Sequence, residues 1–137
     1  MFHPISIPFG CVMLFNVVDL KDGVTVSDVE LVLGEMCNVV KENYGDDKGG
    51  FIGGQVYKNA GFVSKEGTLD TDKSDNKKIN QNMGDLVIVT YWNSFDQHEK
   101  SHADELFKQH FSKLGDFCDA TYEVGYEMLW QGVPEEK

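Results

Sequence analysis

Residues 85–114 read DLVIVTYWNSFDQHEKSHADELFKQHFSKL. The opening DLVIVTYW is rich in β-branched and aromatic residues and too short for a good helix. It is apolar at odd and even positions alike, so it reads as a strand that must be covered on both faces. Ser94 and Gln97 then form a capping box, which starts a helix directly after the strand. Phe107, Phe111 and Leu114 make the later core stripe of that helix, and Gly115 stops it. A kink near Ser101, with Asp104 capping the chain anew, fits the polar run in between.

Working outward, residues 11–20 (CVMLFNVVDL) form a second strand of the same kind. Cys11, Met13, Phe15 and Val17 share one face; Val12, Leu14 and Val18 share the other, which only Asn16 interrupts. KDGVT is a turn, and Ser27 with Glu30 reads as a capping box for a helix carrying Val29, Val32, Leu33, Met36 and Val40 at helical spacing up to Gly45. Residues 51–64 read as a strand bulged at Gly53-Gly54 and at Gly61. Residues 65–84 are polar with little periodicity. In the last strand, residues 121–130, Tyr122, Val124, Tyr126, Met128 and Trp130 line one face, and Glu123 and Glu127 mark a partly solvated one.

The order is β-α-β-β-α-β. With right-handed crossovers it gives an α+β, ferredoxin-like domain: four antiparallel strands with both helices on one face. One domain spans residues 1–137, with an arm over 1–9, a polar insertion over 65–84 and a tail over 133–137.

Composition narrows the function. The chain carries 23 acidic against 12 basic residues, a net charge of −11, and every basic residue is lysine. A polyanion needs a dense cationic footprint, so nucleic acid and anionic membrane are excluded as partners. Without arginine there is no bidentate grip for a phosphate or diacid. Cys11, Cys37 and Cys118 form no C-x-x-C pair and read as reduced, packed thiols. The N-terminus lacks a basic n-region, Pro4 and Pro8 interrupt any apolar helix, and no run approaches the ~18 apolar residues of a membrane span. A cytoplasmic protein is expected.

His98-Glu99-Lys100-Ser101-His102 satisfies H-E-x-x-H, which on a helix grips zinc between its two histidines. The chemistry needs a third ligand. The extended pattern asks for glycine at 105 and histidine at 108, where Glu105 and Lys108 stand, and Glu123 falls on the last strand instead of a following helix. We expect no zinc and no proteolysis.

The element order, together with VTYWNSFDQHEKSHADELFKQHFSKL, resembles the dimeric α+β-barrel superfamily and within it the antibiotic-biosynthesis monooxygenase-like branch. The resemblance spans roughly residues 10–131, less the 65–84 insertion, and rests on Trp92 ending a strand and on His102 and Phe107 in the following helix. It implies a barrel across a homodimer and a pocket between sheet and helices. Some such relatives oxidise polycyclic phenols with O₂ and no cofactor, some degrade haem, and others are isomerases or stress proteins. The haem-degrading branch carries an asparagine on the first strand, which Asn16 matches. Its ligand position falls on Phe111, with His110 one residue and about 100° away, and Ser101 stands at its helix tryptophan. No cofactor is expected, and added haem is expected to bind weakly or not at all.

These readings make Asn16, Trp92 and His102 the candidate catalytic residues. Asn16 has two readings, a polar group in an apolar pocket or a buried amide satisfied by backbone. Phe15, Tyr91, His98, Phe107 and Tyr122 are the candidate ligand-binding residues. The expectation is a homodimer binding a small apolar or aromatic molecule, as a cofactor-independent monooxygenase-like enzyme acting on an aromatic or polyketide-like substrate. The alternative is a non-catalytic binding or stress-related module with a small or filled cavity. An open pocket containing Asn16 favours the enzyme.

Overall fold

A computed structural model describes residues 3–45, 50–63, 69–70, 84–102 and 105–135; side chains are described except at 62–63, 69–70, 101–102, 105–107, 110 and 120. The chain runs β1 (Val12–Leu20), α1 (Val26–Tyr44), β2 (Phe51–Lys58), β3 (Phe62–Val63) and β4 (Leu69–Asp70). It continues through β5 (Leu86–Trp92), α2 (Phe95–His102), α3 (Glu105–Gly115) and β6 (Cys118–Glu127). The main sheet is antiparallel in the order β2-β5-β1-β6, the ferredoxin-like arrangement, and β3 pairs with β4 in a separate short ladder. Apart from Leu69, Asp70 and Gly84, the 65–84 insertion lies outside the described residues.

Three boundaries differ from the sequence reading. Helix α1 is capped by Thr25, whose N–H donates to Asp28 Oδ2 at 2.7 Å, and not by Ser27 with Glu30. Both spacings satisfy the motif. The earlier one wins because Gly23 turns the chain at φ +82, and Val24, just before the cap, packs against the core cluster containing Val29 in the manner of a hydrophobic staple. The second strand ends at Lys58, since Phe62 and Val63 pair with β4. Residues 95–115 form two helices, Phe95–His102 and Glu105–Gly115, in keeping with the break expected near Ser101; residues 103 and 104 lie outside the described ones. Strand β6 both starts and ends three residues early, at Cys118 and Glu127. Its partner β1 begins at Val12, opposite Glu127, and beyond Val12 the chain turns at Gly10.

The box expected at Ser94 forms in its forward half: Ser94 Oγ accepts the Gln97 N–H at 3.2 Å, while its hydroxyl donates to Gln97 Oε1. A bulge falls between Phe51 and Gly53, close to the expected Gly53-Gly54.

The helices cover one face of the sheet. Two clusters form the core there: Val18, Val29, Leu33, Leu86, Leu114 and Cys118 at one end, Val12, Leu14, Val40, Phe51 and Trp92 at the other. The opposite face carries Met13, Phe15 and Val17 of β1, Val87 and Tyr91 of β5, and Tyr122, Val124 and Tyr126 of β6. Tyr57, Tyr122, Val124 and Tyr126 are exposed on it. Among the described residues, no helix is long and apolar enough to cross a membrane.

Candidate functional site

The two core clusters do not meet. Strand alternation puts Asn16 between Leu14 and Val18 on the helix-facing side of β1, and Thr90 and Ile88 between Trp92 and Leu86 on β5. The gap is a cavity of about 710 Å³ between sheet and helices, and its walls are predominantly apolar. Its floor includes one cross-strand row, Val56, Ile88, Asn16 and Glu123, which the three ladders place side by side. Gly34, Met36 and Cys37 of α1, with Phe111 and Leu114 of α3, supply part of the roof. Burial pushes the Cys37 thiol above its ordinary range, and the nearby Lys41 partly offsets this.

At one end of the row stand three polar side chains. Asn16 Nδ2 donates to Glu123 Oε2, and His98 Nε2 lies 3.0 Å from Glu123 Oε1. His98 is 5% exposed, the one polar or charged residue in the buried class among those described. Its ring meets Trp92 edge-on, with centroids 5.2 Å apart and planes at 77°, a favoured aromatic geometry. Trp92 is fixed in turn by Phe51 and by its Nε1–H, which donates to Thr90 Oγ1 at 3.0 Å.

A glycine explains why helix and strand meet here. Gly125 lies two residues after Glu123 on the same strand face, and a Cβ there would come within 2.9 Å of the Phe95 ring. Phe95 therefore sits on bare backbone. His98 is one helical turn further along α2, on the same side as Phe95, and so arrives over Glu123. The carboxylate then accepts two hydrogen bonds, one on each oxygen. A carboxylate held in this way fixes the ring orientation of its histidine partner.

Of the residues proposed from sequence, the structure brings Asn16, Trp92 and His98 together in the cavity wall. Phe15, Tyr91 and Tyr122 lie on the opposite face of the sheet and do not line this cavity, because they alternate with the residues that do. The Tyr91 hydroxyl instead donates to Gln55 Oε1 at 2.9 Å, and burial raises it above its usual range. His102 and Phe107 fall in α2 and α3, and their side chains lie outside the described ones. Glu123 is the residue that sequence reasoning missed. Its trace was a carboxylate two residues from a glycine in an aromatic strand.

The sheet order and the helices on one face give the chain a ferredoxin-like α+β fold, which it shares with solved proteins described as dimeric. No family model and no curated protein matches it. SnoaB from Streptomyces nogalater, a cofactor-independent oxygenase, is 14% identical with TM-score 0.61, over 92% of this chain and 99% of that one. A hydroxynitrile lyase from Passiflora edulis is 7% identical with TM-score 0.61, over 93% and 100%. A dimeric protein of unknown function from Bacteroides fragilis is 12% identical with TM-score 0.55, over 87% and 97%.

Proposed function

We propose that the protein is a homodimeric enzyme that binds a small, mostly apolar molecule in this cavity and moves a proton to or from it with the His98–Glu123 pair, in monooxygenase-like chemistry that needs no cofactor. The observation that carries this reading is the cluster of Asn16, buried His98 and part-buried Glu123 in the wall of a mostly apolar cavity. A carboxylate and an imidazole 3.0 Å apart in the wall of a mostly apolar cavity are the arrangement an acid–base site needs. The Nε2 and Oε1 atoms, 3.0 Å apart, can share one proton, so the pair acts as a single acid–base unit. Asn16 holds the second carboxylate oxygen and keeps Glu123 from swinging away. Trp92 supplies a rigid wall under the imidazole. In this reading His98 holds the acid–base role; the side chain of His102, the candidate from sequence, lies outside the described ones.

The same unit serves both chemistries named among the structural neighbours. Reaction of an organic molecule with O₂ without a cofactor begins from an electron-rich anion, which requires a base. Cleavage of a hydroxynitrile removes a hydroxyl proton. We favour the first for this chain because the cavity is large and apolar, which suits an aromatic substrate. The dimer is supported by the tyrosine-rich second face of the sheet, which two-fold pairing would cover.

Oxygen uptake with anthrone tests the reading. One O₂ should be consumed for each ring CH₂ converted to C=O, with the second oxygen atom leaving as water. His98→Gln and Glu123→Gln should each lower the rate about a hundredfold, a typical contribution of general acid–base catalysis. Uptake that is equal in wild type and both variants would sink the proposal.

A further inference from the structure

We propose that the ligand is an elongated molecule that lies across the strands with an uncharged oxygen function at Asn16, His98 and Glu123, and that Gly34 sets the thickness of body admitted. The inference rests on the cavity being the substrate site and adds what fits there.

The floor row gives the length and the polarity. From Glu123 on β6 to Val56 on β2 there are three inter-strand spacings, about 14 Å. Polar groups occupy the β6 half, Glu123 and Asn16, and apolar ones the β2 half, Ile88 and Val56. Beyond the row, Gln55 and Lys58 of β2 also line the cavity, Lys58 on the same strand face as Val56, so a second polar function at that end would meet them. Val56 is 49% exposed on the outermost strand, so the cavity opens there. The ligand therefore enters with this oxygen first and leaves its other end near the mouth. A carboxylate at the leading end would face Glu123 in a confined, largely apolar space, and like charges repel strongly there. Uncharged oxygen functions, a phenol or a ketone, are what the polar end can hold: Asn16 and His98 donate, and Glu123 accepts.

Gly34 defines the roof. It stands in the interior of α1 with ordinary helical backbone, where glycine is less favourable than alanine. A Cβ at this position would meet nothing within 4 Å. Neither backbone strain nor close packing accounts for the residue, in contrast to Gly125, whose missing Cβ makes room for Phe95. What Gly34 adjoins is the cavity. Cys37, one turn further along the same face, lines it too, so the bare strip faces the cavity.

The test measures binding of phenol, naphthol and anthrone, with naphthoate as the charged counterpart, to wild type, Gly34→Ala and Gly34→Val. Calorimetry gives affinity. Protection of Cys37 from a maleimide reports occupancy independently, since Cys11 and Cys118 are buried. Wild type should bind naphthol and anthrone, and naphthoate about tenfold or more weakly. Gly34→Ala should fold at least as stably as wild type, keep phenol and weaken anthrone severalfold; Gly34→Val should lose naphthol as well. Unchanged naphthol and anthrone affinities in Gly34→Ala, equal binding of naphthoate, or no binding of naphthol by the wild type would each overturn the inference. The acid–base reading is judged separately, by turnover in Glu123→Gln.

Discussion

Replacing Gly125 by alanine tests whether one missing methyl group holds the site together. The new Cβ would stand 2.9 and 3.0 Å from two carbons of the Phe95 ring and 3.4 Å from Leu14 Cδ1. Carbon atoms at rest keep about 3.5–4.0 Å, so the ring must retreat by roughly half an ångström to one ångström. Leu14 is fully buried and cannot yield, whereas Phe95 is 44% exposed and can. Overpacking in a rigid core costs about 1–3 kcal/mol; with a partly exposed ring able to move, the low end applies. Phe95 and His98 ride on the same turn of α2, so a comparable shift stretches the 3.0 Å contact with Glu123 beyond hydrogen-bonding range. Thermal unfolding should fall by only a few degrees, about 1 kcal/mol in a domain of this size, while turnover of anthrone falls at least tenfold. Phe95→Ala in the same chain removes the clash, so the double variant should regain the slowly exchanging Nε2 proton signal of His98 that the single variant loses. If Gly125→Ala keeps both that signal and full activity, Phe95 does not register α2 on β6, and our account of how the site is assembled fails.

Other predictions follow from the same geometry. Val124→Lys places a charge at the centre of the exposed tyrosine face of β6, and light scattering at micromolar concentration should show monomer or aggregate where the wild type shows dimer; an unaltered dimer would refute the face assignment. Asp19 has its carboxyl raised above the ordinary 3.8, first by burial and then by Asp85 and Asp119, so the folded state holds that proton more tightly than the unfolded chain. Its contribution favours the folded state at acid pH and is lost as pH rises through the raised value; Asp19→Asn should therefore gain stability at neutral pH, and the gain should vanish below the ordinary carboxyl range in denaturant titrations. Asp28→Ala should destabilise the protein by about 1 kcal/mol through loss of the helix cap, and Glu30→Ala by much less; the reverse order in urea melts would restore the later capping register.

The fold was legible because its determinants are local. The apolar runs at 11–20 and 85–92, the capping residues at Ser94 and Gln97, and the glycines that end α1 and α3 each specify an element within a few positions, and right-handed crossover leaves few ways to assemble them. What slipped were boundaries set by a partner elsewhere. Strand β6 ends where β1 turns away at Gly10, and Phe62 and Val63 leave β2 for β4. Neither event leaves a mark in the strand it truncates.

The site divides along the same line. Asn16 stands out locally, as a polar residue in a strand apolar on both sides. Glu123 does not. Alternation in residues 121–130 separates the tyrosines from the glutamates but cannot say which set faces the helices, because a sheet covered on both sides has no hydrophobic signature for one cover over the other. Reading the aromatic side as the important one assigns Tyr122 to the ligand and Glu123 to solvent. The structure turns Glu123 into the cavity wall with 24% of its side chain exposed. The choice between His98 and His102 is equally non-local. Two histidines four residues apart share a helix face, and which one meets the carboxylate depends on where Phe95 seats. That seat is Gly125, thirty residues along the chain from Phe95. An acid–base pair carried on one helix and one strand is thus set by a second, apolar pair beside it, a bulky residue one turn before the histidine and a glycine two after the glutamate. The search for such a site in sequence should look for both pairs together, since the chemical pair alone does not say which strand face meets the helix.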